Sequence, residues 1–117
     1  MWGVLEHMDT PYNELIKCKE LLNDDGEILI LVPNFYSRAF NILGVTVPTI
    51  NPRSHLNYFS KKSMEYLTER VGLKIKEYYQ ELPVIDLMYD FISPGDDFIE
   101  EILLNDESYY SVYLLSH

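Results

Sequence analysis

The run "EILILVPN", residues 27–34, constrains the fold more than any other stretch of the chain. It is short and apolar at successive as well as alternate positions, so a strand built from it would shed water on both faces. Such a strand suits the centre of a parallel sheet, where helices cover both sides. Pro33 ends it, because proline brings no backbone N–H to a ladder.

The flanking patterns agree with a layered sheet. Thr10 is a good N-cap, and Pro11 stands at the first helical position, where its missing N–H costs nothing. Leu15, Cys18 and Leu22, with Ile16 and Leu21 beside them, make one apolar stripe at helical spacing. Asn23-Asp24-Asp25-Gly26 then breaks the helix. Further on, Ser60 caps a second helix, with Phe59 and Met64 spaced to close as a hydrophobic staple. Met64, Leu67 and Val71 form its buried stripe, and Gly72 is the expected residue after its last turn. "LKIKEYY" alternates apolar and lysine at its start, the pattern of a strand with one wet face. Ser93-Pro94 opens a third, shorter helix with Phe98, Ile99, Ile102 and Leu103 inward. Its Asp96, Asp97, Glu100 and Glu101 form a solvated face. "SYYSVYLLSH", rich in tyrosine, closes the chain as a strand. Met1–Leu5, poor in charge, reads as the end of another strand. Alternation of this kind indicates an α/β sheet.

Residues 34–59 carry no sustained periodicity beyond a short helical turn around 38–43, and Gly44, Pro48 and Pro52 punctuate them. A loop this long in a compact domain is usually functional or disordered, and Phe35, Tyr36, Phe40, Tyr58 and Phe59 argue against disorder. The expectation is a lid over a substrate.

With 117 residues the chain is one domain at most. Nine basic against nineteen acidic residues give a net charge of −10, which opposes a nucleic-acid backbone. No basic cluster longer than Lys61-Lys62 is present to hold an anionic membrane surface, and no apolar run approaches the ~20 residues of a bilayer span. A single cysteine, Cys18, makes no intramolecular disulfide. On its stripe it is a small hydrophobe. The expected location is the cytoplasm. Ten tyrosines and five phenylalanines suit a cavity or interface lined by rings, with tyrosines 78, 79, 109, 110 and 113 in the core and on sheet faces.

The ordered set "VLEHMDTP…LLNDDGEILILVPN…HLNYFSKKSMEYLTERVGLKI" resembles the second half of class I S-adenosylmethionine-dependent methyltransferases, in the subgroup that includes ubiquinone-biosynthesis-type enzymes. It covers residues 3 to 79. The resemblance implies the C-terminal half of a Rossmann-like sheet, strands 4-5-7-6 with flanking helices and an antiparallel last strand. On that template residues 1–5 end strand four, 27–32 are strand five, 73–79 strand six and 108–116 strand seven. Residues 1–117 are then a partial methyltransferase domain, a fragment that begins at strand four, with 34–59 as its substrate lid. The family's glycine-rich turn and the strand-end acid that holds the cofactor's ribose are not in this sequence. Gly44 and Gly72 stand alone and do not supply the turn.

The resemblance also assigns residues. Glu6-His7 follows a strand end at the carboxyl edge of the sheet, where open α/β sheets bind ligands. Gly3, Glu6 and His7 are expected at the cofactor, and His7 and His55 as the catalytic pair that orients an acceptor or takes its proton. Asn34, His55 and Tyr58 are expected to bind substrate. By itself, Glu6-His7 is a helix-leading acid beside a solvated histidine, His55 a residue that fixes its loop, and Tyr58 a packing residue. In the ubiquinone type a further glutamate three residues before the Glu-His pair joins a metal site. Here that position is Gly3, and two side chains on one turn make a poor magnesium site, so no metal is expected.

The activity implied is methyl transfer from S-adenosylmethionine to a small-molecule acceptor, with the isolated chain inactive. The competing expectation is a non-enzymatic, acidic interaction or scaffold module derived from a methyltransferase. Either way, an exposed apolar sheet edge at residues 1–5 and 27–32 predicts a homo-oligomer.

Overall fold

The computed structural model describes residues 1–81 and 106–117; the helix expected after Ser93-Pro94 lies outside them. The described elements run in the order 3-10 turn (Leu5–His7), α1 (Pro11–Glu20), β1 (Glu27–Pro33), α2 (Arg38–Leu43), 3-10 turn (Gly44–Thr46), α3 (Lys61–Val71), β2 (Lys74–Glu81) and β3 (Tyr110–Ser116).

The three strands form one sheet in the order β1-β3-β2, with β3 antiparallel to both neighbours. The double-faced character of β1 follows from what covers it. Ile28, Ile30 and Val32 point to one side, where Tyr113 and Leu115 of β3 continue the surface and Leu5, Leu15, Met64 and Val71 pack upon it. Leu31 points to the other, into a cluster with Ala39, Val47, Tyr109, Tyr110 and Val112. Successive side chains alternate across the sheet, so a strand buried on both sides must be apolar at every step. This is an α/β arrangement, with α1 and α3 on one face and α2 with its following turn on the other.

The ladder of β1 with the last strand is antiparallel, with Ile30 opposite Tyr113, as the resemblance implies for the last strand, and the parallel pairing that the run by itself suits is limited to a single bridge between Trp2 and Leu31. Met1–Leu5 is correspondingly shorter as a strand than expected. The Met1 carbonyl accepts from Leu31 N at 2.9 Å and Gly3 N donates to the Leu31 carbonyl at 3.0 Å. The chain then turns at Gly3, φ 60°, and winds into the 3-10 turn. Left-handed backbone at that point favours glycine.

The helix ends follow their local signals. Thr10 takes the N-cap position of α1 with Pro11 first in the helix, although its hydroxyl makes no capping bond. Leu15 is fully buried and Ile16, Cys18 and Leu22 partly so, whereas Leu21, placed beside the stripe by sequence, is 85% exposed. It is the C-cap residue, past the last helical turn that would have aimed it inward. At α3, Ser60 and Ser63 exchange side-chain and backbone hydrogen bonds in a capping box, and Gly72 closes the helix at φ 78°. Phe59 and Met64 are both buried in the same cluster. In β2 the register slips between Ile75 and Glu77, so Tyr78 returns to the face that Ile75 occupies. Lys76, at the irregularity, pairs with Glu27 across the sheet end.

Residues 34–59 are more structured than a plain loop. Asn34 and Phe59 form an isolated bridge that closes their base, and α2 and the second 3-10 turn lie between.

Candidate active site

Glu6 and His7 stand on the first 3-10 turn, just past the short pairing with β1, and His55 lies near the far end of the 34–59 segment. Nearly fifty residues of chain separate them, yet hydrogen bonds strap the two segments together. The Glu6 carbonyl accepts from Leu56 N at 2.8 Å and Asn57 N at 3.0 Å. The Asn57 side-chain amide donates to the Met8 carbonyl at 2.6 Å, and His7 Nδ1 donates to the Ser54 carbonyl. His55 is held from its own side, with its backbone N–H on Asn51 O at 2.7 Å and its Nδ1 on Thr49 O at 2.7 Å.

The result is a cluster of three chemistry-bearing side chains. His7 and His55 meet edge to face, ring centroids 4.8 Å apart at 68°. His7 Nε2 lies 3.8 Å from Glu6 Oε1. One donor atom from each of Glu6, His7 and His55 lies within 4.8 Å of the others. Glu6 and His55 are each 3% exposed, while His7 opens to solvent. Burial pushes the Glu6 carboxyl above its ordinary value, opposed by a backbone hydrogen bond and by the two nearby histidines. Its Oε2 is buried and has no hydrogen-bond partner among the described residues.

Because a carbonyl only accepts, each Nδ1 that faces one must carry the proton. In the neutral rings the lone pair is then on Nε2. The cluster therefore sets a buried carboxylate beside the solvent-open imidazole of His7, a set suited to taking a proton from a small acceptor.

The other residues singled out by sequence lie differently. Gly3 is beside Glu6: a Cβ there would sit 3.5 Å from Oε1. Asn34 is buried at the end of β1, with its amide engaged at both ends. Its Nδ2 donates to Ser108 O at 2.8 Å and its Oδ1 accepts from Tyr36 N at 3.1 Å. Tyr58 packs its ring 6.0 Å from that of Phe35, and its hydroxyl is buried. The structure thus joins Glu6, His7 and His55, and puts Asn34 and Tyr58 on the frame of the segment that carries His55.

Asp106 was not singled out. Buried at 1% exposure, it accepts Ala39 N through Oδ2 at 2.6 Å, and through Oδ1 both the N–H of Ser108 at 3.0 Å and its hydroxyl at 2.5 Å. Ser108 Oγ in turn accepts Arg38 N at 2.9 Å. These two residues before β3 cap α2 from a distance, which adds to the local cap from Ser37. The only sequence signal was an aspartate two residues before a serine at a strand entrance.

The family model described as a methyltransferase domain matches residues 1–78, two-thirds of the chain, and includes all three cluster residues. No curated protein matches the chain. Among the described residues no helix is long and apolar enough to cross a membrane.

Proposed function

The chain belongs to the methyltransferase domain family, and from that premise we propose that it forms the acceptor side of a class I S-adenosylmethionine-dependent methyltransferase acting on a small molecule. The sheet β1-β3-β2 corresponds in this reading to strands 5-7-6, with Trp2 marking the end of strand four. The observation that carries the reading is the Glu6–His7–His55 cluster at the carboxyl end of that pairing.

S-adenosylmethionine, when bound, supplies the methyl group. The residues described fit the acceptor better than the cofactor. Their buried carboxylates are Glu6 and Asp106, and Asp106 is occupied by Ala39 and Ser108, so no second strand-end acid stands ready for a ribose. The chemistry assigned to this chain is therefore positioning and proton transfer. Methyl transfer needs an in-line nucleophile above all, and holding one in place contributes much of the rate. His7, open to solvent, takes the acceptor's proton at Nε2. His55 fixes the acceptor's orientation from the buried side, and the Glu6 carboxylate steadies the imidazolium that results. The segment 34–59 is the lid, with Asn34 and Tyr58 anchoring its base.

The test is ligand-observed NMR of the whole chain against a panel of small oxygen, nitrogen and carbon acceptors, with chelator present. At least one class should bind saturably, and H7A and H55A should each weaken it tenfold or more. A panel in which every binder is indifferent to both variants overturns the reading. Such a result, with a macromolecule captured instead through the exposed Tyr36, Ile42 and Val45 of the lid segment, would favour the interaction-module alternative.

A further inference from the structure

We infer that the acceptor carries an oxyanion, a carboxylate or phosphate group, which Arg53 holds beside His7. The inference rests on the acceptor reading above and names the class of molecule that would fill that pocket.

The first observation is where the acids are not. Nineteen acidic residues are spread over the chain, yet none falls between Glu27 and Glu65, nearly a third of its length. Arg38, Arg53, Lys61 and Lys62 do fall there. Burial does not account for this. Asn41, Thr46, Asn51 and Ser54 are exposed polar positions of the 34–59 segment, where a carboxylate would be well solvated. In a chain of net charge −10 the segment read as the lid is thus locally cationic, and a cleft lined by one sign of charge concentrates ligands of the other. Exposed charges more than about 8 Å away are largely screened at physiological salt, so the local balance decides.

The second is the placement of Arg53. It stands on a turn built by Asn51, whose Oδ1 accepts Arg53 N at 3.3 Å and whose carbonyl accepts Ser54 N at 3.0 Å and His55 N at 2.7 Å. The carbonyl of the next residue, Ser54, receives the Nδ1 proton of His7. Arg53 therefore lies one residue from the group that holds His7, and an arginine side chain is long enough to cross from there to a molecule at the open face of that ring. Arg53 is exposed, and among the described residues no carboxylate pairs with it. The other arginine of the segment, Arg38, lines a separate surface hollow with Gln80, Glu107 and Ser108.

The third is what stands nearby with the opposite effect. Glu6 is buried, and burial favours its neutral form, which weakens its repulsion of an anion at His7. Asp9 is exposed, but its stretch of chain is held through the Met8 carbonyl by Asn57, on the other side of His55 in sequence from Arg53.

A guanidinium presents a planar fork of donors that fits a carboxylate or phosphate with two parallel hydrogen bonds. An anion fixed in this way leaves the acceptor's nucleophile to face Nε2 of His7, and orientation is what methyl transfer chiefly needs.

Matched pairs that differ in charge provide the test: para-hydroxyphenylacetate against its primary amide, and phenyl phosphate against phenol. Each is titrated into the whole chain by ligand-observed NMR with chelator present. The anion of at least one pair should bind about tenfold tighter or more at low salt, the scale of one charge-assisted hydrogen bond, and lose that margin as salt rises. The pair with the larger margin tells carboxylate from phosphate. R53A should abolish the preference, R53E reverse it and R53K restore part of it. K74A, which removes an exposed cation outside the acid-free span, should leave it intact. Equal binding within both pairs overturns the inference, as does no binding by any member, a preference that survives in R53E, or one lost in K74A. Where the neutral members bind as well as the anions and weaken in H7A and H55A, the acceptor reading stands and the oxyanion falls. Anion binding that depends on Arg53 but ignores both histidine variants overturns the acceptor reading, and this inference with it.

Discussion

Asp106→Ala should be the most damaging single substitution outside the sheet core. The carboxylate accepts three hydrogen bonds, from Ala39 N at 2.6 Å, Ser108 N at 3.0 Å and Ser108 Oγ at 2.5 Å. Hydrogen bonds to a charged group contribute about 1.5–3 kcal/mol each, but bonds sharing one carboxylate do not add in full. The Ser108 groups lie near the surface, and water can replace their partner. The Ala39 N–H cannot be rescued in this way, because Ala39 is completely buried. Leaving that donor unmet costs about 1–3 kcal/mol, and loss of the two Ser108 bonds brings the total to about 3 kcal/mol. Domains of this size have about 5–15 kcal/mol in all. With a urea slope of about 1.5 kcal/mol/M, the midpoint should fall by about 2 M. D106N keeps an acceptor for Ala39 and should lose about half as much. The measurement is equilibrium urea unfolding by far-ultraviolet circular dichroism. A fall below about 0.3 M in D106A, with the slope unchanged, would refute the remote-cap account of α2.

Gly72→Ala forces an L residue to φ 78° and puts its methyl 2.7 Å from Lys19 Nζ, which donates to the Val71 carbonyl. It should cost about 1–2 kcal/mol, read as a lowered melting temperature; an unchanged value would mean that the helix end re-forms another way. Burial raises the Tyr109, Tyr110 and Tyr113 phenols well above their ordinary value. Their neutral forms are favoured in the folded state, so this stability is complete below the unfolded pKa near ~10 and is lost as pH rises above it. Unfolding should therefore set in above about pH 10, with Y113F shifting it upward; identical alkaline midpoints would count against the assignment. The sheet border, where Trp2 and Leu29 are exposed beside the Met1–Gly3 pairing, should join copies of the chain, and sedimentation at micromolar concentration should show a dimer or larger. A clean monomer speaks against it. Calorimetry of this chain with S-adenosylmethionine should give no saturable heat at low micromolar concentration, since these 117 residues hold no glycine-rich turn for a cofactor and two or three charge-assisted contacts are equivalent to ~10²–10⁶-fold in affinity. A dissociation constant in that range sinks the acceptor-side assignment.

What the sequence determined by itself is local in its physics. Ser60 finds Ser63 three residues away, Gly72 is the residue that turns left-handed, and Pro11 and Pro33 fix where α1 begins and β1 ends. Each depends on neighbours within one turn, which is the range over which capping and proline sterics act. The double-faced apolarity of "EILILVPN" also announced a strand with helices on both sides, because burial on a face leaves its mark at every second residue. It could not announce direction. A buried strand reads the same whether its neighbour runs parallel or antiparallel, and pairing with β3 was settled by how residues distant in sequence pack.

The site divides along the same line. Glu6-His7 was legible as a pair at a strand end, and His55 as a histidine near the close of a long segment. Nothing in the spacing showed that one ring would stand 4.8 Å from the other. That juxtaposition depends on the Glu6 carbonyl receiving two N–H groups from the returning chain and on His7 reaching Ser54. Asp106 illustrates the point from the other end of the chain. Its carboxylate caps a helix 67 residues earlier, and only the tertiary structure decides it, because an unmet backbone donor is satisfied by whatever polar group the fold brings within reach.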